Sequence, residues 1–404
     1  MSNKPIFSFD SLPVAEPPGY APPRQWISRP LLPDVMGTAV TITSYNMLAD
    51  VYCQPDLYTN CPLWALEWGY RRDRLMHQLS SRNSDFFCLQ EVEKSEYENF
   101  WKVEMEKRGY AGEYTVKTRY FMGSDDHVDG CATFYNTKKS RFLEFLKCRF
   151  VLLSASHLHF NDSLVSQLQE KFLTQVPRGS VRLKRGTVAQ ILLFSSIPSN
   201  SAMPNEPQTQ FYLANCHLFW DPRFPDVKLQ QSLELMRQLE KEEFKMELPA
   251  VICGDFNSEP TSAVYEFMSM GRVRGDHPDL QNDPENIIRS IGVQNINHKI
   301  KLASVYKEVM GSEPKFTNYT DHYAGCLDYI WVSSSMIIPI KVSVLPSERE
   351  IESCGDMRLP NPRYPSDHLA LDCTLLISPP RYISYPRSML RVCWKLEFSL
   401  KSCR

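Results

Sequence analysis

The stretch Val251–Pro260, VICGDFNSEP, decides how this chain is read. Val251, Ile252 and Cys253 form an apolar run that stops at Gly254, and Asp255, Asn257 and Ser258 follow before Glu259-Pro260 closes a turn. A strand is expected here, delivering polar groups at its carboxyl end. In α/β proteins that end opens onto the binding crevice, and Asp255 and Asn257, two apart, would point the same way from a rigid base. The same letters suit a plain turn, because Asp, Asn and Gly are common turn formers. The rest of the chain must separate the two readings.

Outward from this stretch the pattern repeats. Ala39–Leu48 (AVTITSYNML) is a β-branched, alternating strand presenting Asn46, and Asp85–Val92 (DFFCLQEV) is a short apolar run ending in Gln90 and Glu91. Gln210–Trp220 (QFYLANCHLFW) predicts a strand ending at His217. Phe316–Val332 joins an aromatic, polar loop to a strand carrying Asp328, and Tyr364–Leu371 (YPSDHLAL) sets Asp367 and His368 directly before another apolar strand. Gly130–Tyr135 and Thr187–Phe194 read as buried strands, Lys138–Arg185 is a mixed region without a clear period, and Ser195–Thr209 reads as a hairpin loop. Helices are predicted over Trp64–Leu79, Ser95–Lys107 and Pro225–Met246, the last with Leu229, Leu233, Met236 and Leu239 facing inward. Arg71, Arg72 and Arg74 are expected on a solvated helix face. Strands alternating with helices predict an α/β layered protein with sheets in the core and helices outside.

Composition bounds the function. The chain has 404 residues, 43% of them hydrophobic, enough for one large or two modest domains. Lys+Arg 45 against Asp+Glu 47 gives a formal net charge of −2, so a nucleic-acid partner would have to be held by a local patch. The 12 cysteines, with Cys88, Cys131, Cys216, Cys253 and Cys373 inside apolar runs, show no C-x-x-C pair, which predicts reduced, buried thiols and an intracellular protein. No signal-like leader and no apolar run near 18 residues occur, so no membrane role is expected. Residues 1–38 hold Pro5, Pro13, Pro17, Pro18, Pro22, Pro23, Pro30 and Pro33 and are expected to form an irregular arm.

Six separated stretches thus offer polar residues beside apolar runs: Asn46, Glu91, His217, Asp255 with Asn257, Asp328, and Asp367 with His368. Oxygen-rich donors without a cysteine cluster suit a hard cation, Mg²⁺ or Mn²⁺, which commonly shares its shell with substrate phosphate. Carboxylates that orient or deprotonate water, with a histidine steadying charge, complete the equipment for metal-assisted phosphodiester hydrolysis.

The ordered motifs SYNML, LQEVE, ANCHLFWDP, CGDFNSEP, LDYIW and PSDHLAL resemble the endonuclease/exonuclease/phosphatase superfamily. That resemblance implies a DNase I-like four-layered α/β sandwich of two mixed β-sheets with helices outside. Within the superfamily, CPLWALEWGYRRDRLM (61–76), DGCATFY (129–135), WDPRFPDVKLQQ (220–231), SAVYEFMSMGRV (262–273) and KFTNYT (315–320) are similar to the nuclease domain of carbon catabolite repressor-type poly(A) deadenylases. The likeness runs over 39–377, leaving the arm and a tail, 378–404, that does not resemble the family's ending. It implies Glu91 as principal metal ligand with Asn46 beside it and Asp367 next to the ion, Asp255 activating water, and Asn257 on phosphate or base. It further implies His368 on the phosphate, oriented by Asp328, and His217 over the scissile bond. Pro222 and Tyr323 would hold an adenine between them, and Arg119 would join Asn257 among the substrate contacts.

The implied activity is Mg²⁺-dependent 3′-to-5′ removal of poly(A) as 5′-AMP, on single-stranded RNA. The implied setting is cytoplasmic or nuclear, with a deadenylase complex or RNA-binding adaptor proteins as partners. No leucine-rich repeats of the kind that dock on such a complex precede the nuclease region in this sequence. Two other readings stay open: a nucleotide phosphatase or 2′,5′-phosphodiesterase of the same superfamily, and a catalytically silent RNA-binding adaptor. Asn136, where relatives carry Lys or Arg, and Thr187, where they carry Asn, motivate the last by predicting weaker phosphate or base contacts.

Overall fold

The structure, a computed structural model, describes residues 19–30, 37–118, 128–137, 148–161, 182–198, 209–246 and 248–378. Fifteen strands are placed among them. In chain order they are β1 (Trp26–Ser28), β2 (Thr38–Asn46), β3 (Phe86–Glu93), β4 (Tyr110–Val116), β5 (Asp129–Asn136), β6 (Cys148–His159), β7 (Val188–Pro198) and β8 (Gln210–His217). They continue with β9 (Ala250–Asp255), β10 (Leu302–Ser304), β11 (Asn318–Tyr319), β12 (Ala324–Gly325), β13 (Asp328–Ser333), β14 (Ile337–Ser343) and β15 (Leu371–Ile377). One seven-stranded sheet has the order β1-β14-β15-β2-β3-β5-β4, a six-stranded sheet the order β10-β13-β9-β8-β7-β6, and β11 pairs with β12 apart from both.

Period-two alternation makes four layers. Phe86 and Cys88 of β3, with Val40 and Ile42 of β2, meet Phe211 and Leu213 of β8 and Val251 and Cys253 of β9 in the core between the sheets. The alternate residues face outward: Phe87 and Leu89 meet Leu75 and Leu79 of the helix Trp68–Arg82, and Ala214 and Ile252 meet Leu233 and Met236 of the helix Pro225–Met246. The two helices thereby cover opposite outer faces.

Several expectations need correction. The helix expected over Trp64–Leu79 breaks at Glu67 into Leu63–Leu66 and Trp68–Arg82, and the segment 94–107 contains a wide π turn over Tyr97–Trp101. Arg71 and Arg74 lie buried rather than on a solvated face, while Arg72 is half-buried. Arg71 donates to the carbonyls of Leu48 (2.8 Å), Leu66 (3.2 Å) and Pro365 (3.2 Å) and to Asp50 (3.3 Å), fastening three chain segments. The proline-rich arm is not wholly irregular: Trp26–Ser28 pairs antiparallel with Lys341–Ser343 at a sheet edge. The mixed region contains β6, and Ser195–Pro198 extends β7 instead of starting a loop. The nine cysteines whose side chains are described are free, eight of them buried. Among the described residues no helix is long and apolar enough to cross a membrane.

Candidate active site

The inward-facing rows turn polar at one common edge of the two sheets. Ser44 and Asn46 continue the row of Val40 and Ile42; Asn215 and His217 continue Phe211 and Leu213; Asp255 continues Val251 and Cys253. Asp328 starts β13 on the row of Ile330 and Val332. Because β8 and β9 are parallel and β13 is antiparallel to β9, His217, Asp255 and Asp328 occupy one rung across three strands. Gly254 permits the close approach, since any Cβ there would collide with the Cys216 carbonyl.

Glu91 reaches this edge by breaking the alternation. It would share the outward face of Phe87 and Leu89, but a bulge against β5 between Leu89 and Val92, with Glu91 at φ 55°, turns it inward. Its carboxylate accepts from Asn46 Nδ2 and from the Ala49 amide, both at 3.0 Å, and lies 4.0 Å from His217 Nε2. Beneath it Asp129 accepts from Tyr52 Oη (2.9 Å) and pairs with Lys117 (2.7 Å). Burial, with Asp129 and Asp367 close by, pushes the Glu91 carboxyl up to about 7.

Asp255 binds the Asn46 amide at 3.0 Å and the Asn257 backbone amide at 2.8 Å. Its Oδ2 also lies 3.6 Å from His368 Nε2 and 3.7 Å from His217 Nε2. Burial and the neighbouring Asp328 raise it to about 6. His368 Nδ1 meets Asp328 Oδ2 at 2.8 Å, and that oxygen also accepts from Thr317 Oγ1 at 2.6 Å. Burial opposes charge on His368, yet Asp328, Asp255 and Asp367 prevail and hold its pKa well above the usual value. His217 goes the other way: burial, then Lys117 and His368, lower it, so its ring is neutral at pH 7. Asp367 accepts from Tyr58 (3.0 Å) and Asn318 (3.2 Å) through Oδ2, while its buried Oδ1 has no partner among the described residues.

The structure therefore brings Asn46, Glu91, His217, Asp255, Asn257, Asp328, Asp367 and His368 to one edge. Pro222 lies exposed on the segment after His217. Tyr323, half-buried between β11 and β12, donates to Glu259 at 2.8 Å. Arg119 lies outside the described residues. Asn136 sits at the far end of β5, paired with Tyr110 beside the start of β3, about 16 Å of strand from Glu91. The hydroxyl of Thr187 accepts from Gln231 at 2.7 Å inside the protein. Asn136 thus gives no reason to expect a weakened site.

Sequence reading missed Lys117, Asp129 and Tyr52, and a polar seam between the sheets. Gln90 Nε2 donates to Asn215 Oδ1 at 2.8 Å, and Asn215 Nδ2 reaches the carbonyls of Leu89 (3.2 Å) and Ala132 (3.1 Å). Thr133 Oγ1 in turn donates to Gln190 at 2.7 Å. Only the interruption of apolar runs by Gln90 and Asn215 signals this in the sequence.

As possible cation donors, Asp255, Asp328 and His368 offer atoms within 4.8 Å of one another. The hydrogen bond that ties His368 Nδ1 to Asp328 makes this group a carboxylate-imidazole chain. Glu91 and the unpartnered Asp367 Oδ1 offer the hard-oxygen set, whose mutual repulsion a divalent cation would relieve, while Asn46 turns its amide nitrogen to Glu91 and Asp255 and its Oδ1 to the Leu48 amide.

A model of the endonuclease/exonuclease/phosphatase family matches residues 43–368. Carbon catabolite repressor protein 4 homolog 1 of Arabidopsis thaliana is 34% identical over 358 residues, covering 83% of this chain and 57% of the relative. The CCR4-Not complex 3′-5′-exoribonuclease subunit Ccr4 of Candida glabrata is 36% identical over 359 residues, covering 86% of this chain and 38% of the relative. The chain thus spans about half the length of such relatives. Among solved structures, ANGEL2, a 2′,3′-cyclic phosphatase, superposes with a TM-score of 0.67 at 24% identity, covering 88% of this chain and 99% of that one. The human Nocturnin catalytic domain gives 0.56 at 20%, covering 88% and 98%. These likenesses show the DNase I-like fold with its two mixed sheets and outer helices. The match over 43–368, together with the relatives' identity, means that the chain belongs to the endonuclease/exonuclease/phosphatase family.

Proposed function

We propose that the chain is a Mg²⁺-dependent 3′-to-5′ exoribonuclease that trims poly(A) tails of mRNA to 5′-AMP and so contributes to mRNA turnover. The observation that carries the reading is the Asp328–His368 pair facing Asp255 opposite Glu91, in a chain similar along most of its length to a 3′-5′-exoribonuclease subunit. Glu91, Asn46 and Asp367 would hold the ion, which when bound stabilises charge on the phosphoryl group. Asp255, raised to about 6, remains largely ionised at pH 7 and accepts the proton of the attacking water. His368, charged because Asp328 stands behind it, directs its Nε2 proton at a phosphate oxygen. The neutral His217 lies over the scissile bond and adds no charge there. Water oxygen bonds to phosphorus as the P–O3′ bond breaks, releasing 5′-AMP and leaving a 3′ hydroxyl on the shortened chain.

Pro222, Tyr323, Asn257 and Arg119 are the proposed substrate contacts, with Pro222 and Tyr323 enclosing adenine. Such a substrate places the chain in the cytoplasm, the nucleus or both, with a deadenylase complex or an RNA-binding adaptor delivering it. The test is incubation with a 5′-labelled RNA ending in oligo(A), with Mg²⁺ or with EDTA, beside a 2′,5′-linked oligoadenylate and a mixed-sequence RNA. A Mg²⁺-dependent ladder confined to the 3′ adenosines is expected. Cleavage of the 2′,5′ substrate alone would replace this reading with the diesterase, and intact RNA throughout would overturn it.

A further inference from the structure

We propose that Arg185, Lys184 and Trp220 form a second nucleotide subsite beside the catalytic edge, binding single-stranded RNA through a backbone phosphate and a stacked base. The inference rests on the exoribonuclease reading for its choice of RNA. With a net charge of −2 the chain has no overall attraction for a polyanion, so RNA needs a local foothold. Position supplies the first argument. Val188 begins β7 directly opposite His217 at the end of β8. The segment leading into β7 (182–187) and the one leaving β8 (218–224) therefore emerge together at the edge that carries Asp255.

Charge supplies the second. Arg182 is engaged by Asp226 through two bonds of 2.7 and 2.8 Å, and Arg223 by Asp221 at 2.6 Å. Arg185 has no acidic partner at bonding distance among the described residues, and its Nε is buried without an acceptor. Its guanidinium lies over Phe224 at 4.3 Å and over Phe219 at 4.9 Å, which fixes its plane. Burial and the nearby Arg182 weaken its hold on its proton against the pull of Asp221, Glu285 and Asp226, none of which is bonded to it as a direct counter-ion. A phosphate oxygen at the terminal nitrogens would supply one. Lys184, half-buried beside it, likewise pairs with no carboxylate among the described residues.

An exposed aromatic ring stands next to this cation's platform. Trp220 is 65% exposed, its ring 6.1 Å from Phe219 and its backbone two residues before Pro222. A large flat ring left in water next to Phe219, which the unpaired guanidinium overlies, and two residues before the proposed adenine contact suits a base whose phosphate reaches Arg185.

The experiment is fluorescence anisotropy with 5′-labelled A10 RNA in EDTA, from about 50 to 200 mM KCl, run beside the Mg²⁺ hydrolysis assay. Arg185→Ala is expected to weaken binding by about 5- to 50-fold and to flatten the slope of log K against log[KCl] by about 0.7, the loss of one single-strand phosphate contact. Arg185→Lys should keep the slope and lose less affinity. Trp220→Ala should weaken binding by about 5- to 100-fold with the slope retained, since stacking releases no counter-ions. Unfolding midpoints equal to the wild type's will show that each variant folds. Hydrolysis by the wild type with unaltered affinity and slope in all three variants overturns the subsite alone. Variant-sensitive binding without hydrolysis overturns the exoribonuclease reading and leaves the subsite standing.

Discussion

At the scale of single residues, one oxygen atom sets the charge of the site. Asp328 Oδ2 accepts from Thr317 and from His368, and the positive His368 depends on it. Asp328→Asn keeps the shape and removes the strongest of the acids that hold the proton on the imidazole, leaving only Asp255 and Asp367 to favour it. The expected result is a fall in kcat of about 10²- to 10⁴-fold, with the Mg²⁺ midpoint nearly unmoved because Asp328 is not in the oxygen set. Wild-type turnover in that variant would remove His368 from the chemistry. Glu91 yields a pH prediction. Its carboxyl, raised to about 7, is mostly protonated in the metal-free protein at pH 6 and mostly ionised at pH 8. An ion must displace that proton, so Mg²⁺ affinity should rise with pH until about 7 and then level, losing up to about tenfold per unit below it. The Mg²⁺-induced rise in unfolding temperature, titrated at pH 6, 7 and 8, checks this. Glu91→Gln should abolish both the rise and its pH dependence.

At the scale of elements, the bulge in β3 and the seam of β8 explain each other. The bulge turns Glu91 toward the cleft, and Asn215, projecting from the opposite sheet, donates to the carbonyls of Leu89 beside the bulge and Ala132 across from it. The irregularity that builds the site is thus satisfied from the far side of the core. Asn215→Leu fits the space but leaves those carbonyls without this donor, at about 1–3 kcal/mol each. A lower urea midpoint is expected together with a Mg²⁺ half-saturation raised several-fold, because Glu91 loses its support. Val251→Ala, an ordinary core truncation in the same layer, should lower the urea midpoint alone. Equal Mg²⁺ behaviour in the two variants would reduce Asn215 to packing. Nothing local in the sequence announces this partnership: Gln90 and Asn215 are 125 positions apart, and each looks like a polar lapse in an apolar run. Arg71 misleads in the same way, since a helical arginine reads as solvated until the carbonyls of Leu48 and Pro365 join that of the nearby Leu66 on it.

At the scale of the whole molecule, what could be read was whatever a strand states about itself. The bounds of β8 at His217 and of the helix Pro225–Met246 follow from local period and turn letters, as does the arrival of Asp255 and Asp328 at strand ends. What crosses between layers could not be read, because pairing depends on partners hundreds of residues away. The proline-rich arm belongs to this second kind. Its Tyr20 stacks on His77 at 3.7 Å, Arg24 donates to the Ala370 carbonyl and lies 3.7 Å from Asp372, and Trp26–Ser28 covers the β14 edge. These contacts tie one segment to the outer helix, to β15 and to a sheet margin. Deleting residues 1–36 should therefore do more than shorten the chain. Asp372 would keep Arg82, Thr43 and Ser343, so the electrostatic loss is partial, about 1–3 kcal/mol. The uncovered β14 would present unpaired backbone groups, and the shortened protein should aggregate at concentrations where the whole chain stays monomeric. Urea midpoints and light scattering on the two chains measure both effects. Arg24→Ala separates them, since it removes the charge contact and keeps the edge covered. If the deleted chain matches the whole in midpoint and scattering, the arm rests on the fold without supporting it; if it alone aggregates, edge protection is what the segment contributes.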